Sequence, residues 1–173
     1  MSEFFIQEKQ LSSITRTVIT DEHGRSLYLL VGRWGNKGDA LSLYEMNGAL
    51  VASIKQVSFT FGQRFEIYEN YQKVGSMRKI FNWPGDFYYI KQLKWRVHGD
   101  IYHHHYHIHH FATKIMSMSK ASTVRGNFYV LDVVDDRDSV KCICIAAVLD
   151  YWLYNRKKSD SDDLDYRLSQ LLE

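Results

Sequence analysis

Apolar and polar residues alternate with a period of two, broken by short turn clusters, through roughly the first 132 residues, and that pattern means antiparallel strands. Successive side chains of a strand point to opposite faces, so each segment has one face to bury and one to wet. Ile14 to Thr20 ends at the turn cluster Asp21-Glu22-His23-Gly24, and Ser26 to Val31 ends at a loop punctuated by Gly32, Gly35 and Gly38. Leu41, Leu43 and the stretch Ala49 to Lys55 flank Met46-Asn47-Gly48, and Asn-Gly is a strong hairpin signal. Phe65 and Ile67 on one side, Val74 and Met77 on the other, flank a second turn at Asn70 to Gln72. Phe87 to Ile90, Leu93 to Val97, Tyr106 with Ile108, Ala112 to Met116 and Phe128 to Leu131 supply further short strands.

The two best-defined hairpins repeat each other. Leu41-Ser42-Leu43-Tyr44-Glu45 matches Phe65-Glu66-Ile67-Tyr68-Glu69 at an offset of 24. Val51-Ala52-Ser53-Ile54-Lys55 matches Val74-Gly75-Ser76-Met77-Arg78 at an offset of 23, the second turn having lost one residue. Weaker echoes lie around Thr17 to Gly32 and His104 to Ser117. One hairpin cannot bury its apolar face alone, so successive hairpins must close around something apolar.

Val140 to Tyr154 supplies it, with only Lys141 and Asp150 polar. Asp135, Asp136 and Asp138 precede the run, where a helix N-terminus favours acids, and Arg156, Lys157 and Lys158 follow, where the C-terminus favours bases. A further buried strand through Cys142 to Val148 is the alternative; the charged ends and the length favour helix. Such a helix, apolar nearly all round, must be surrounded. At 1.5 Å per residue it reaches about 22 Å, short of the ~30 Å hydrocarbon core, so burial in protein is expected over a membrane span. The expected fold is mainly β: a closed antiparallel barrel threaded by its own C-terminal helix, with Ile143, Ile145, Val148, Leu149 and Trp152 as the helix core. Residues 1–158 form one domain, and 159–173 form an acidic tail in which Leu164, Leu168, Leu171 and Leu172 suit a short amphipathic helix. Disorder is excluded by a hydrophobic content of 45%.

The chain resembles the LURP-one-related proteins, which share the tubby C-terminal-like fold with phospholipid scramblases. The residues carrying the resemblance are Gly38-Asp39-Ala40-Leu41-Ser42-Leu43-Tyr44-Glu45, Phe61-Gly62-Gln63-Arg64-Phe65-Glu66-Ile67-Tyr68, Leu93-Lys94-Trp95-Arg96-Val97-His98-Gly99-Asp100 and Asp132-Val133-Val134-Asp135-Asp136. It covers roughly residues 35–156. The resemblance implies about twelve strands around a central helix, and no catalytic signature. From the wider fold it implies membrane association, because tubby domains bind phosphoinositide headgroups through basic side chains.

Charge is unevenly distributed behind a formal net charge of +2. Lys55 to Arg125 carries eleven Lys and Arg against four Asp and Glu, a surplus of +7. From Asp132 onward ten acids face six bases, a balance of −4. A basic middle attracts anionic surfaces, although lysines on the wet face of a sheet are also ordinary. The headgroup candidates are Arg64, Lys73, Arg78, Lys79, Lys91, Lys94 and Arg96.

Seven of the eight histidines lie between His98 and His110. With Tyr106 and Ile108 inward, His103, His105, His107 and His109 fall outward together on one strand. Such a ladder can chelate Zn²⁺, Ni²⁺ or Cu²⁺, but a built site draws ligands from several elements with oriented rings. The same histidines suggest a pH-responsive surface, since ordinary imidazoles titrate near ~6.5.

No enzyme signature is present. The Gly32 to Gly38 loop lacks a Gly-Lys-Ser/Thr ending, no Gly-x-Ser-x-Gly elbow occurs, and Cys142 and Cys144 sit in an apolar run where thiols are inert. No cofactor is expected. Trp34, Trp83 and Trp95 lie among bases, yet no recognised nucleic-acid motif accompanies them. Two unbridged cysteines and an N-terminus without a signal sequence point to the cytoplasm, peripheral to a membrane. The leading expectation is a non-enzymatic binder of anionic phospholipid headgroups. The alternatives are an intracellular protein-interaction or scaffold module and a scramblase-like membrane protein.

Overall fold

The computed structural model describes residues 1–7, 14–33, 37–58, 64–82, 85–124 and 126–150. Twelve strands follow one another: β1 (Ser2–Gln7), β2 (Ile14–Thr20), β3 (Ser26–Arg33), β4 (Ala40–Glu45), β5 (Leu50–Ser58) and β6 (Arg64–Glu69), then β7 (Gln72–Asn82), β8 (Gly85–Ile90), β9 (Trp95–Asp100), β10 (His105–His110), β11 (Thr113–Thr123) and β12 (Gly126–Val133). Each pairs antiparallel with its sequence neighbour, and β1 pairs with both β2 and β12, which closes the barrel. The seam between β1 and β2 is short, formed by Phe5 opposite Thr20 and Ile6 opposite Ile19.

The repeated hairpins are β4–β5 and β6–β7. The first turns through Met46-Asn47-Gly48, with Glu45 donating to the Ala49 carbonyl at 2.9 Å and Gly48 at φ +90. The second turns through Asn70-Tyr71 alone, both with positive φ, between the paired Glu69 and Gln72. A three-residue turn of this kind ends in a left-handed residue, usually glycine, and a two-residue turn can place both residues there. That difference is the residue lost between the two offsets. Both hairpins also slip register at the same place, after Leu43 and after Ile67. The weaker echoes are hairpins too: β2–β3 slips after Ile19 and β10–β11 after Ile108.

Inward residues of the twelve strands make one core. Leu30, Leu43, Ile54, Ile67, Met77, Ile90, Val97, Ile108, Met116 and Leu131 are fully buried. At the centre lies α1, helical over residues 139–150, with Ile143, Ile145, Val148 and Leu149 each 0% exposed. Asp135 caps the tight turn that leads into it, accepting from the Arg137 backbone N–H at 3.0 Å. The guanidinium of Arg137 beside it holds the Asp135 carboxyl down at about 2. Trp152 and the acidic tail lie outside the described residues.

Two polar contacts hold α1 against the wall. Lys141, buried, reaches Glu69 at 3.2 Å, Asp138 at 3.2 Å and the Arg137 carbonyl at 2.7 Å. Asp150 meets His104 of the β9–β10 turn at 3.1 Å, and the His104 ring lies 4.4 Å from that of Tyr129. The two polar residues that interrupt the apolar run are therefore paired at its two ends.

Candidate functional site

Strand pairing gathers the scattered bases into a line on the outer wall. Arg64 of β6 faces Arg78 of β7, and Arg78 faces Tyr89 of β8. Tyr89 faces Arg96 of β9, Arg96 faces His109 of β10, and His109 faces Lys114 of β11. The first five sit on the outward parity, because the neighbours Phe65, Met77, Tyr88, Ile90, Val97 and Ile108 are buried, and the register slip after Ile108 leaves Lys114 exposed opposite His109. At about 4.8 Å between strands, the stretch Arg78–Tyr89–Arg96–His109 spans about 14 Å. Among the described residues no carboxylate lies within ion-pair distance of Arg64, Arg78, Arg96 or Lys114. Unneutralised cations side by side are unfavourable for the barrel alone and are relieved by an anion.

One register step along, Ile80 of β7 faces Phe87 of β8, both half-buried. They share the outward parity with Arg78 and Tyr89. The row therefore has an apolar pair at its side.

The other headgroup candidates lie elsewhere. Lys73 is bound to Glu66, which also accepts from the Tyr68 hydroxyl at 2.8 Å. Those two bonds hold the Glu66 carboxyl below its usual range, Lys73 contributing most. Lys91 and Lys94 are exposed in the turn between β8 and β9, beside the row rather than in it. Lys79, half-buried, lies on the inward parity of β7 with Gly75 and Met77 and faces buried Tyr88, off the row. Alternation counted from Met77 places it there.

The histidines adjoin the row, with one substitution in the expected ladder. His103 is not on the strand; residues 101–104 are a turn, and His103 Nδ1 lies 2.6 Å from Asp100. His98 of β9 takes its place. It faces His107 across the β9–β10 pair, and its Nε2 lies 2.9 Å from His109 Nδ1 with the two rings stacked at 4.8 Å. His105 and His107 continue the cluster, ring centres 6.1 Å apart. Partial burial and then the charges of His98, His109, His105 and Lys114 push the His107 imidazole below its ordinary range. Burial, then His98 and Lys114, do the same to His109. Among the described residues no group of three or more His, Cys, Asp or Glu is placed to hold a metal ion, so the geometry does not carry the metal expectation.

Both cysteines, Cys142 and Cys144, are buried in α1. Burial pushes the Cys144 thiol up to about 12 and raises Cys142 further. No helix among the described residues is long and apolar enough to cross a membrane.

Comparisons with known proteins agree with the architecture. Residues 2–150 match the family model described as LURP-one-related. The uncharacterized protein YxjI of Bacillus subtilis (strain 168) is 28% identical over 155 residues, covering 90% of this chain and 96% of that protein. A solved structure of a protein from Arabidopsis thaliana superimposes with a TM-score of 0.57 at 14% identity, over 84% of this chain and 88% of that one. That likeness shows the fold alone. With a family match over nearly all of its barrel and helix, the chain belongs to the LURP-one-related family.

Proposed function

We propose that this protein is a non-enzymatic barrel that docks peripherally on anionic phospholipid headgroups, with the outer face of β7–β11 against the membrane. The observation that carries this reading is the shared register of Arg64, Arg78, Tyr89, Arg96, His109 and Lys114. A cation next to an anionic surface contributes about 1 kcal/mol. Twelve strands share the circumference, so each step turns the wall by about 30° and a flat surface meets the middle of the row first. Contact by Arg78, Arg96 and Lys114 then gives about 3 kcal/mol, a reversible and salt-sensitive association. Ile80, Phe87 and the amphipathic ring of Tyr89 add apolar area at the headgroup boundary.

Burial of residues 141–150 within the barrel supports peripheral docking over a helical bilayer span. The test is co-sedimentation with phosphatidylcholine vesicles, with and without phosphatidylserine, at low and high salt. Binding is expected only with phosphatidylserine, weakened by salt but not by inorganic phosphate at equal ionic strength. Arg78→Glu with Arg96→Glu should weaken it tenfold or more while the melting temperature holds. Undiminished binding by that variant overturns the site. No binding by the wild type at any salt overturns the membrane reading and favours a protein-interaction module.

A further inference from the structure

We infer that the histidine cluster is a proton-dependent extension of the basic row, so that acidification tightens the grip on an anionic membrane. This rests on the membrane-docking reading and specifies how that same face is regulated. His109 is itself a member of the row, between Arg96 and Lys114. His98 and His107 lie one register step away on the same outward face, directly opposite one another. The 2.9 Å contact between His98 and His109 needs one ring nitrogen with a proton and one without, so this pair is held with at least one imidazole neutral. His107 Nδ1 is buried without a hydrogen-bond partner among the described residues. A neutral cluster is what the barrel tolerates on its own, and an anion is what it needs to tolerate the charged form.

The surrounding charges run mostly the same way. From β9 comes Arg96, and from β11 Lys114, facing His109 from both sides. His105 faces Asp100, which is engaged by His103. Beyond His107 the row continues to Ser117 and then to Asp132 of β12, whose carboxylate accepts from the Ser117 hydroxyl at 3.4 Å. Glu3 of β1 follows opposite Asp132. From β8 the neighbours are Tyr89 and Phe87. His110, facing Trp95 and packed against Phe111, stands apart from the cluster. Asp132 is thus the nearest carboxylate along the His107 register, separated by Ser117, and the cations are closer to His109.

Linkage then fixes the direction. A membrane that prefers the protonated cluster must raise its proton affinity, and protonation must raise membrane affinity by the same factor. The low starting affinity for protons places the response below the ordinary imidazole midpoint of about 6.5.

The experiment measures the affinity for phosphatidylcholine–phosphatidylserine vesicles at about pH 7.5 and about pH 5.5, well above and below that midpoint, at constant ionic strength. The wild type should bind about tenfold more tightly at the lower pH, the effect of one to two added cations at the surface. His98→Asn with His107→Asn and His109→Asn should lose the enhancement, binding with the same affinity at both pH values. His23→Asn, in the exposed β2–β3 turn, should leave it intact. Enhancement that survives in the triple variant, or wild-type affinity independent of pH, overturns the inference while leaving membrane docking in place. Absence of binding at both pH values overturns both.

Discussion

The hairpins β6–β7 and β10–β11 are one backbone used twice, with opposite consequences at the surface. Ile67 faces Gly75 as Ile108 faces Met116, and the register slips at the next residue in each. Tyr68 then faces Lys73 as His109 faces Lys114, and a two-residue turn closes both. At the position two before the slipped residue, β6 has Glu66 and β10 has His107. Glu66 binds Lys73 and the Tyr68 hydroxyl, so that hairpin neutralises its own cation. His107 has no carboxylate to offer, and Lys114 stays uncompensated among the described residues. One side-chain exchange in an otherwise shared frame leaves Lys114 without the carboxylate that Lys73 has.

Inside the barrel the two hairpins are not interchangeable, and the largest effects are expected there. A Cβ at Gly75 would lie 2.8 Å from Ile90 Cγ2, so Gly75→Met, which copies β11, should destabilise by about 3 kcal/mol through overpacking. Met116→Ala opens a cavity instead and should cost about 3 kcal/mol. Denaturant melts of both variants check this; a neutral Gly75→Met would mean the two interiors have equal room.

Outside, exchange should move function with little change in stability. Glu66→His frees Lys73 and should strengthen neutral-pH binding to phosphatidylserine vesicles by about threefold, whereas His107→Glu should weaken it by about fivefold. Equal effects of the same sign would break the comparison.

Proton linkage gives a smaller signal. His107 and His109 have lowered proton affinity in the folded barrel, so between about pH 6.5 and their native midpoints the unfolded chain binds more protons. Stability should therefore fall as pH is lowered through that window, and the three-histidine variant should lose that part of the slope. Thermal melts across the range read it directly; a slope unchanged in the variant would contradict the assignment. Smallest of all, Tyr71→Gly creates Asn-Gly in a turn where Tyr71 is left-handed at φ 64, and should stabilise by about 0.5 kcal/mol.

The barrel and its helix were legible in the sequence because burial imposes periodicity. Period-two alternation marks inward residues without any knowledge of neighbours, and an apolar run with charged ends marks the helix. The basic row was only half legible. Arg64, Arg78 and Arg96 stand out as bases, but their alignment depends on register across six strands, which local pattern does not encode. Tyr89 and Lys114 were missed for that reason. His98 was missed because the turn over residues 101–104 separates it from the other histidines in sequence while pairing returns it to them. Lys79 reads as a base like its neighbour Arg78, but its parity with Met77 places it off the row. The buried partner of Asp150, His104, carries no signal in a run of histidines where each looks alike.

The most direct measurement compares Lys114→Gln with Lys73→Gln in binding to phosphatidylserine-containing vesicles at low salt. Both remove one positive charge from the same place on the same hairpin frame. Lys114→Gln is expected to lower affinity about fivefold, and Lys73→Gln, whose charge Glu66 already holds, by less than about twofold. Equal losses would show that only net charge matters and would contradict a docking face built by register.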